Sequence, residues 1–162
     1  MKDTDLDALD RAILAALLED GRQSQVELAE RIPLSATAIA RRIRALEEEG
    51  VIQGYQACIS RQALGLGMTV IVHISLTSQN EDLLEAFEKA AASAPSVVSC
   101  HLMSGEDDYL IIVMARDLAD FERIHKEQLA RLPGVARLKS SFALREVTNK
   151  PLPASCLLPL RK

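Results

Sequence analysis

Four arginines, Arg31, Arg41, Arg42 and Arg44, fall between residues 31 and 46 with no acid among them. A guanidinium is always charged and carries a planar fork of N–H donors, so this grouping suits phosphate oxygens and the N7/O6 edge of guanine. On a helix turning about 100° per residue, Thr37, Arg41 and Arg44 lie within roughly 60° of one another. Ile39, Ile43 and Leu46 form a narrow apolar stripe on the opposite side. A solvated, salt-bridged face interleaves charges of both signs; this one separates them. Arg42 projects beside the stripe, where it either meets a phosphate or pairs internally with Asp10 or Glu27.

A second grouping is acidic. In Gly105-Glu106-Asp107-Asp108-Tyr109 a glycine opens backbone N–H groups to a carboxylate, and three acids stand ready for an ammonium. An α-amino acid would be gripped at both ends. The same residues also make an ordinary polar turn in which Asp108 caps a hairpin and the other acids are solvated, and on the residues alone that plainer reading comes first. His73, His101 and His125 show no HxxxH spacing and read as core or interface residues, so neither a metal nor a cofactor is expected. Cys100 and His101 are neighbours on a predicted strand and point to opposite faces, which excludes a nucleophile–base pair. Cys58, Cys100 and Cys156 are an odd number without a CxxC and read as free thiols. No catalytic residue emerges, and no enzyme activity is expected.

These groups need scaffolds. Apolar residues recur at helical spacing from Leu6 to Leu46, predicting a first helix from about Asp5 to Glu19, stopped by Gly21. A second, Gln25 to Arg31, opens on a Ser24/Glu27 capping box and ends at Pro33. A third runs from Ala36 to about Glu49 behind Ser35 and closes at Gly50. Beyond Gly50 the period turns to two. Val51–Ile59 reads as a short extended segment, Met68–Leu76 as a strand, Glu81–Ala94 as a helix capped by Asn80, and Val97–Met103 with Tyr109–Met114 as a hairpin. A helix from Asp117, with Asp120 at the capping-box position, reaches Leu132, and Val135–Val147 is the last strand. The fold class is α+β: a helix-turn-helix, winged-helix-like domain in residues 1–60, a βαββαβ ferredoxin-like domain in 61–150 and a Pro-rich tail in 151–162. Ile71 and His73 sit opposite Val70 and Val72, and Leu110 and Ile112 opposite Ile111 and Val113, so both sheet faces are expected to be buried, one of them in an obligate homodimer.

The chain has 162 residues, 48% hydrophobic and 26% charged, too apolar for disorder and with no run approaching a membrane span. No basic segment followed by an apolar stretch opens it, so a cytoplasmic location is expected. The net charge of −4 speaks at first against nucleic acid. Residues 1–56 hold seven basic and eleven acidic side chains, yet the arginine group sits inside that half.

The motifs Leu6-Asp7-x-x-Asp10-x-x-Ile13-Leu14, Glu27-Leu28-Ala29 and Leu34-Ser35-x-Thr37-x-x-x-Arg41-Arg42-Ile43-x-x-Leu46-Glu47-x-x-Gly50-Val51-Ile52 resemble the DNA-binding domain of leucine-responsive regulatory protein (Lrp)/AsnC family regulators. The resemblance continues through Gly105-Glu106-x-Asp108-Tyr109, Asp117 and Leu132-Pro133-Gly134-Val135, so it covers nearly the whole chain in order. It implies a sequence-specific transcriptional regulator of amino-acid metabolism that binds a pseudo-palindromic double-stranded operator through Ser35, Thr37, Ala38, Arg41, Arg42 and Arg44. It implies an amino-acid effector (leucine, methionine or cysteine) held between dimers by Gly105, Glu106, Asp107, Asp108, Tyr109, Ser140 and Ser141. Leu102 or Met103 would face the effector's side chain. It further implies homodimers assembling to tetramers or octamers. Many relatives in the subgroup with Ser140-Ser141-Phe142-Ala143-Leu144 carry Cys-Trp where this chain has Ile39-Ala40, which bears on operator preference. Siroheme decarboxylases, enzymes of the same fold with a degenerate helix-turn-helix, are the alternative. The basic third helix and the scarcity of histidine count against them.

Overall fold

Capping sets where the helices begin. In the computed structural model, which describes residues 6–157, the Asp7 carboxylate accepts from the backbone N–H groups of Leu9 and Asp10, and Asp10 returns the bond to the Asp7 N–H. This box starts α1 at Ala8 (Ala8–Glu19) rather than near Asp5. Ser24 and Glu27 form the expected box at the head of α2 (Gln25–Arg31). Ser35 accepts from Ala38 N–H at the head of α3 (Ala36–Glu48), which Gly50 ends in the left-handed region at φ 73°. Ile13, Ala16, Leu28, Ile32, Ile39 and Ile43 are buried together between the three helices. Each large member contributes about 1.5–3 kcal/mol by leaving water.

Val51–Ile59 finds no strand partner and joins no sheet. The described residues cluster into two units, 6–58 with 148–157, and 59–147. Within the first unit Arg11 Nη1 donates to the Cys156 carbonyl, 3.1 Å away.

The second unit comprises β1 (Met68–Leu76), α4 (Glu81–Ser93), β2 (Val97–Leu102), β3 (Tyr109–Ala115), α5 (Leu118–Glu127) and β4 (Val135–Phe142). The sheet order is β2-β3-β1-β4 with every neighbouring pair antiparallel, the ferredoxin-like arrangement. Val70, Val72 and Ile74 of β1 and Tyr109, Ile111 and Val113 of β3 are buried with Phe87 of α4 and Phe121 and Ile124 of α5. The other face, with Ile71, His73, Leu110 and Ile112, is only half-buried; within one chain the helices cover a single face. Two ends differ from expectation. Helix α5 stops at Glu127 and a 3-10 turn, Leu129–Arg131, carries Leu129 into the core. Strand β4 stops at Phe142, close to the start of its partner β1: Phe142 pairs with Val70, and Ala143 N–H donates to the Thr69 carbonyl. Asp117 caps α5, but Asp120 accepts from Arg116 N–H, one residue beyond the box position. No helix among the described residues is long and apolar enough to cross a membrane.

Candidate functional site

Helix α3 sorts the arginines. Its Ile39, Ile43 and Leu46 are buried, which turns Thr37, Arg41 and Arg44 outward, all three exposed. Ser35 is exposed at the helix N-cap and Ala38 half-buried behind it. Arg42 is not on this face. Its Nη1 lies 2.8 Å from Asp7 Oδ2 and 2.7 Å from Asp10 Oδ1, stapling α3 to the head of α1. Arg42 thus makes an internal pair, with Asp10 and Asp7 as partners, while Glu27 is taken by Ser24. The Asp10 N–H, aided by Arg42, holds the Asp7 carboxyl below the usual carboxylate range, and the two aspartates push the Arg42 pKa up. Arg31 pairs with Glu19 at 2.9 Å. Of the four arginines, Arg41 and Arg44 have no ion-pair partner among the described residues, and they share the exposed face of α3.

In the second unit the turn between β2 and β3 is held by Asp108. Its carboxylate accepts from Leu76 N–H at 2.7 Å and from the Gln79 amide, its own N–H donates to the Ile74 carbonyl, and its carbonyl accepts from Met103 N–H. Asp108 is a hairpin cap. Tyr109 is also elsewhere: it is buried on the helix-covered face, its phenol donating to Glu88 at 2.8 Å, beside Cys100 in a cleft of about 370 Å³ between α4 and β2. Burial and Glu88 push both the Tyr109 phenol and the Cys100 thiol up.

Glu106 and Asp107 do meet in one place, with Gly105 just before them in the turn. Nothing lies within 4 Å of where a Cβ on Gly105 would stand, so its backbone is free to approach a ligand. Asp107 Oδ2 is 3.0 Å from His73 Nδ1, and Arg137 Nη2 stands 3.5 Å from Asp107 and 3.4 Å from Glu106, with Ser75 Oγ between them. His73, Ser75 and Arg137 had no part in the expected site. The register brings them in, since Arg137 lies opposite Ser75 and Lys139 opposite His73, and no local motif announces that. Ser140 and Ser141 are not brought to this turn. Ser140 pairs with Val72 on the covered face and Ser141 with Ile71 on the open one, roughly 13 Å along β1 from Ser75. Leu102 and Met103 are exposed at the base of the hairpin.

No group of His, Cys, Asp and Glu among the described residues is arranged to hold a metal. Residues 6–53 match the family model described as winged helix-turn-helix DNA-binding, and residues 69–153 the one described as Lrp/AsnC ligand binding domain. The Bkd operon transcriptional regulator of Pseudomonas aeruginosa is 43% identical over 149 residues, 92% of this chain and 97% of that one. Leucine-responsive regulatory protein of Escherichia coli K12 is 39% identical over 143 residues, 88% and 87% of the two chains. A transcriptional regulator of Neisseria meningitidis, solved as its L-methionine complex, superposes with a TM-score of 0.88 at 34% identity over 94% of this chain and 99% of that one. A ligand-binding model spanning more than half the chain, and relatives alike along nearly all of it, place this protein in the Lrp/AsnC family of transcriptional regulators.

Proposed function

We propose that this regulator grips double-stranded DNA with Arg41 and Arg44 of α3 and changes that grip when an α-amino acid binds at the Gly105–Asp107 turn. The observation that carries it is the division of labour in α3, where one arginine is tied to Asp7 and Asp10 and two are left outward on a single face. Such a helix presents its N-terminal half to base edges while arginines reach guanine or phosphate. Thr37 and Ser35 supply hydroxyls on the same side.

At the turn, the Gly105 backbone and Arg137 take the effector's carboxylate, and Glu106 with Asp107 takes its ammonium. The L-methionine complex of the Neisseria meningitidis relative supports an amino acid as the ligand class. Leucine and cysteine stay in the panel. The half-buried open face, with Ile71, Leu110 and Ile112, packs on a second copy, and dimers join into tetramers or octamers; Ser141 then reaches an effector only from a neighbouring chain. A useful switch needs the effector to favour one state by about 1–3 kcal/mol. The named relatives are transcriptional regulators, which gives the decarboxylase alternative no support.

Calorimetry with methionine, leucine and cysteine on the wild-type chain and on Glu106→Gln tests the pocket. Saturable heat with the wild type, weakened in the variant, is the expected result; no saturable heat with any of the three sinks the effector reading. Asp108 is left untouched in this test, because its carboxylate ties the turn to Leu76 and Gln79.

A further inference from the structure

Glu47 follows Arg44 by three positions on α3, a spacing at which side chains meet and opposite charges pair. The pair is not made. The ion pairs of the first unit join Arg31 to Glu19 and Arg42 to Asp7 and Asp10. Glu47 is instead held by Tyr55, whose phenol donates to Glu47 Oε1 at 2.9 Å. The Tyr55 ring lies over Gly21, where a Cβ would sit 3.5 Å from Tyr55 Cδ1. Tyr55, Gly21, Glu47 and Arg44 border one cleft of about 390 Å³. Burial and the Glu47 carboxylate push the Tyr55 pKa up, so the hydroxyl remains a donor at neutral pH.

We propose that Tyr55 is a positioning residue for DNA binding: by engaging the Glu47 carboxylate it keeps that charge off Arg44 and leaves the guanidinium to the DNA. The proposal rests on the reading of Arg44 as a DNA contact. It also gives a purpose to a hydrogen bond that joins irregular chain, residues 53–60, to the third helix. Glu48 lies four positions past Arg44 on the same face and makes no bond to Tyr55, which makes it the natural control. An arginine preceding the acid is the weaker order for an i,i+4 pair.

The test uses the full chain and a duplex it has enriched from a random-sequence pool, with affinity followed by fluorescence anisotropy over a range of salt. Tyr55→Phe keeps the ring on Gly21 and removes the hydroxyl. It is expected to lose about threefold to tenfold in affinity and to flatten the salt dependence toward that of Arg44→Ala, with its melting temperature near wild type. Removing the Glu47 charge near DNA helps in any background, so the coupling is what counts. Glu47→Gln is expected to raise affinity more alongside Tyr55→Phe than alone, whereas Glu48→Gln raises it equally in both. Wild-type affinity for Tyr55→Phe, or an equal gain from Glu47→Gln in the two backgrounds, overturns the proposal. Arg44→Ala separates it from the reading beneath it. If that variant binds as tightly as wild type, both fall; if it weakens binding while Tyr55→Phe does not, the Tyr55 proposal alone falls.

Discussion

Arg41, Arg42 and Arg44 are of one type within four positions, yet they take different work, and the difference is measurable. Arg42→Ala loses ion pairs with Asp7 and Asp10; because these groups are partly open to water, a modest fall in melting temperature is expected, with little change in the salt dependence of DNA binding. Arg41→Ala should do the reverse, leaving thermal melting intact while weakening DNA binding and lowering the salt slope by about 1. Equal effects of the two variants on both measurements would contradict this assignment. Acid should expose the same staple. The folded-state pKa of Asp7 is depressed, first by the Asp10 N–H and then by Arg42, so its contribution is present at neutral pH and is lost as pH falls below about 4 and through the lowered value. Glu27 and Asp120 titrate in the same direction. Melting followed by circular dichroism should therefore drop on acidification, and less steeply in Arg42→Ala. The outward stripe of Thr37, Arg41 and Arg44 was legible from helical spacing alone. The partner of Arg42 was not, because spacing left the choice between phosphate, Asp10 and Glu27 to tertiary packing.

Single elements show what local pattern determines and what it leaves to neighbours. The limits of α2 and β1 follow from a capping box, a proline and strict alternation, all local, and the sequence reading places both as they stand. The end of β4 does not, since Val147 continues its apolar pattern but the pairing with β1 ends at Val70, with one further bond to the Thr69 carbonyl. Val51–Ile59 fails as a strand for want of any partner. The candidate effector turn shows the same division: Asp107 and Glu106 are visible as a polar turn, whereas Arg137 and His73 arrive through cross-strand register. Gly134 gives this scale its test. It sits at φ 69° just before β4, and a Cβ there would come within 2.6 Å of Leu83 Cδ1 and Cδ2 on α4. Left-handed backbone and overpacking together predict that Gly134→Ala destabilises the second unit by roughly 2–4 kcal/mol. Urea unfolding should show a lower midpoint at unchanged slope. Gly105→Ala is the contrast, with open space around the added methyl and ordinary φ, so stability should hold while amino-acid binding weakens.

For the molecule as a whole, a net charge of −4 misleads about nucleic acid because charge acts where it is placed. Eleven acids among residues 1–56 oppose non-specific contact with phosphate, and in the proposed reading Arg41 and Arg44 of α3 carry the contact with DNA. Such a weak grip per subunit is useful only if subunits act together, and the sheet supplies a surface for that. One face is sealed by α4 and α5 within the chain, while the other leaves Ile71, Leu110 and Ile112 half-buried beside the His73–Asp107–Arg137 group. A standard-size interface buries about 800 Å² per partner, and the open face runs across all four strands. Ile112 lies on β3, one of the two inner strands, where a charge would have no route to solvent in a face-to-face dimer. Ile112→Glu should therefore lower the mass seen by sedimentation while the circular dichroism of the chain stays native, since Ile111 and Val113 on the sealed face are untouched. Affinity for a two-fold operator should fall far more than affinity for a half-site, because only the former engages both recognition helices. A variant that keeps its full mass, or that loses half-site and operator binding alike, would show that this face is not where two copies meet.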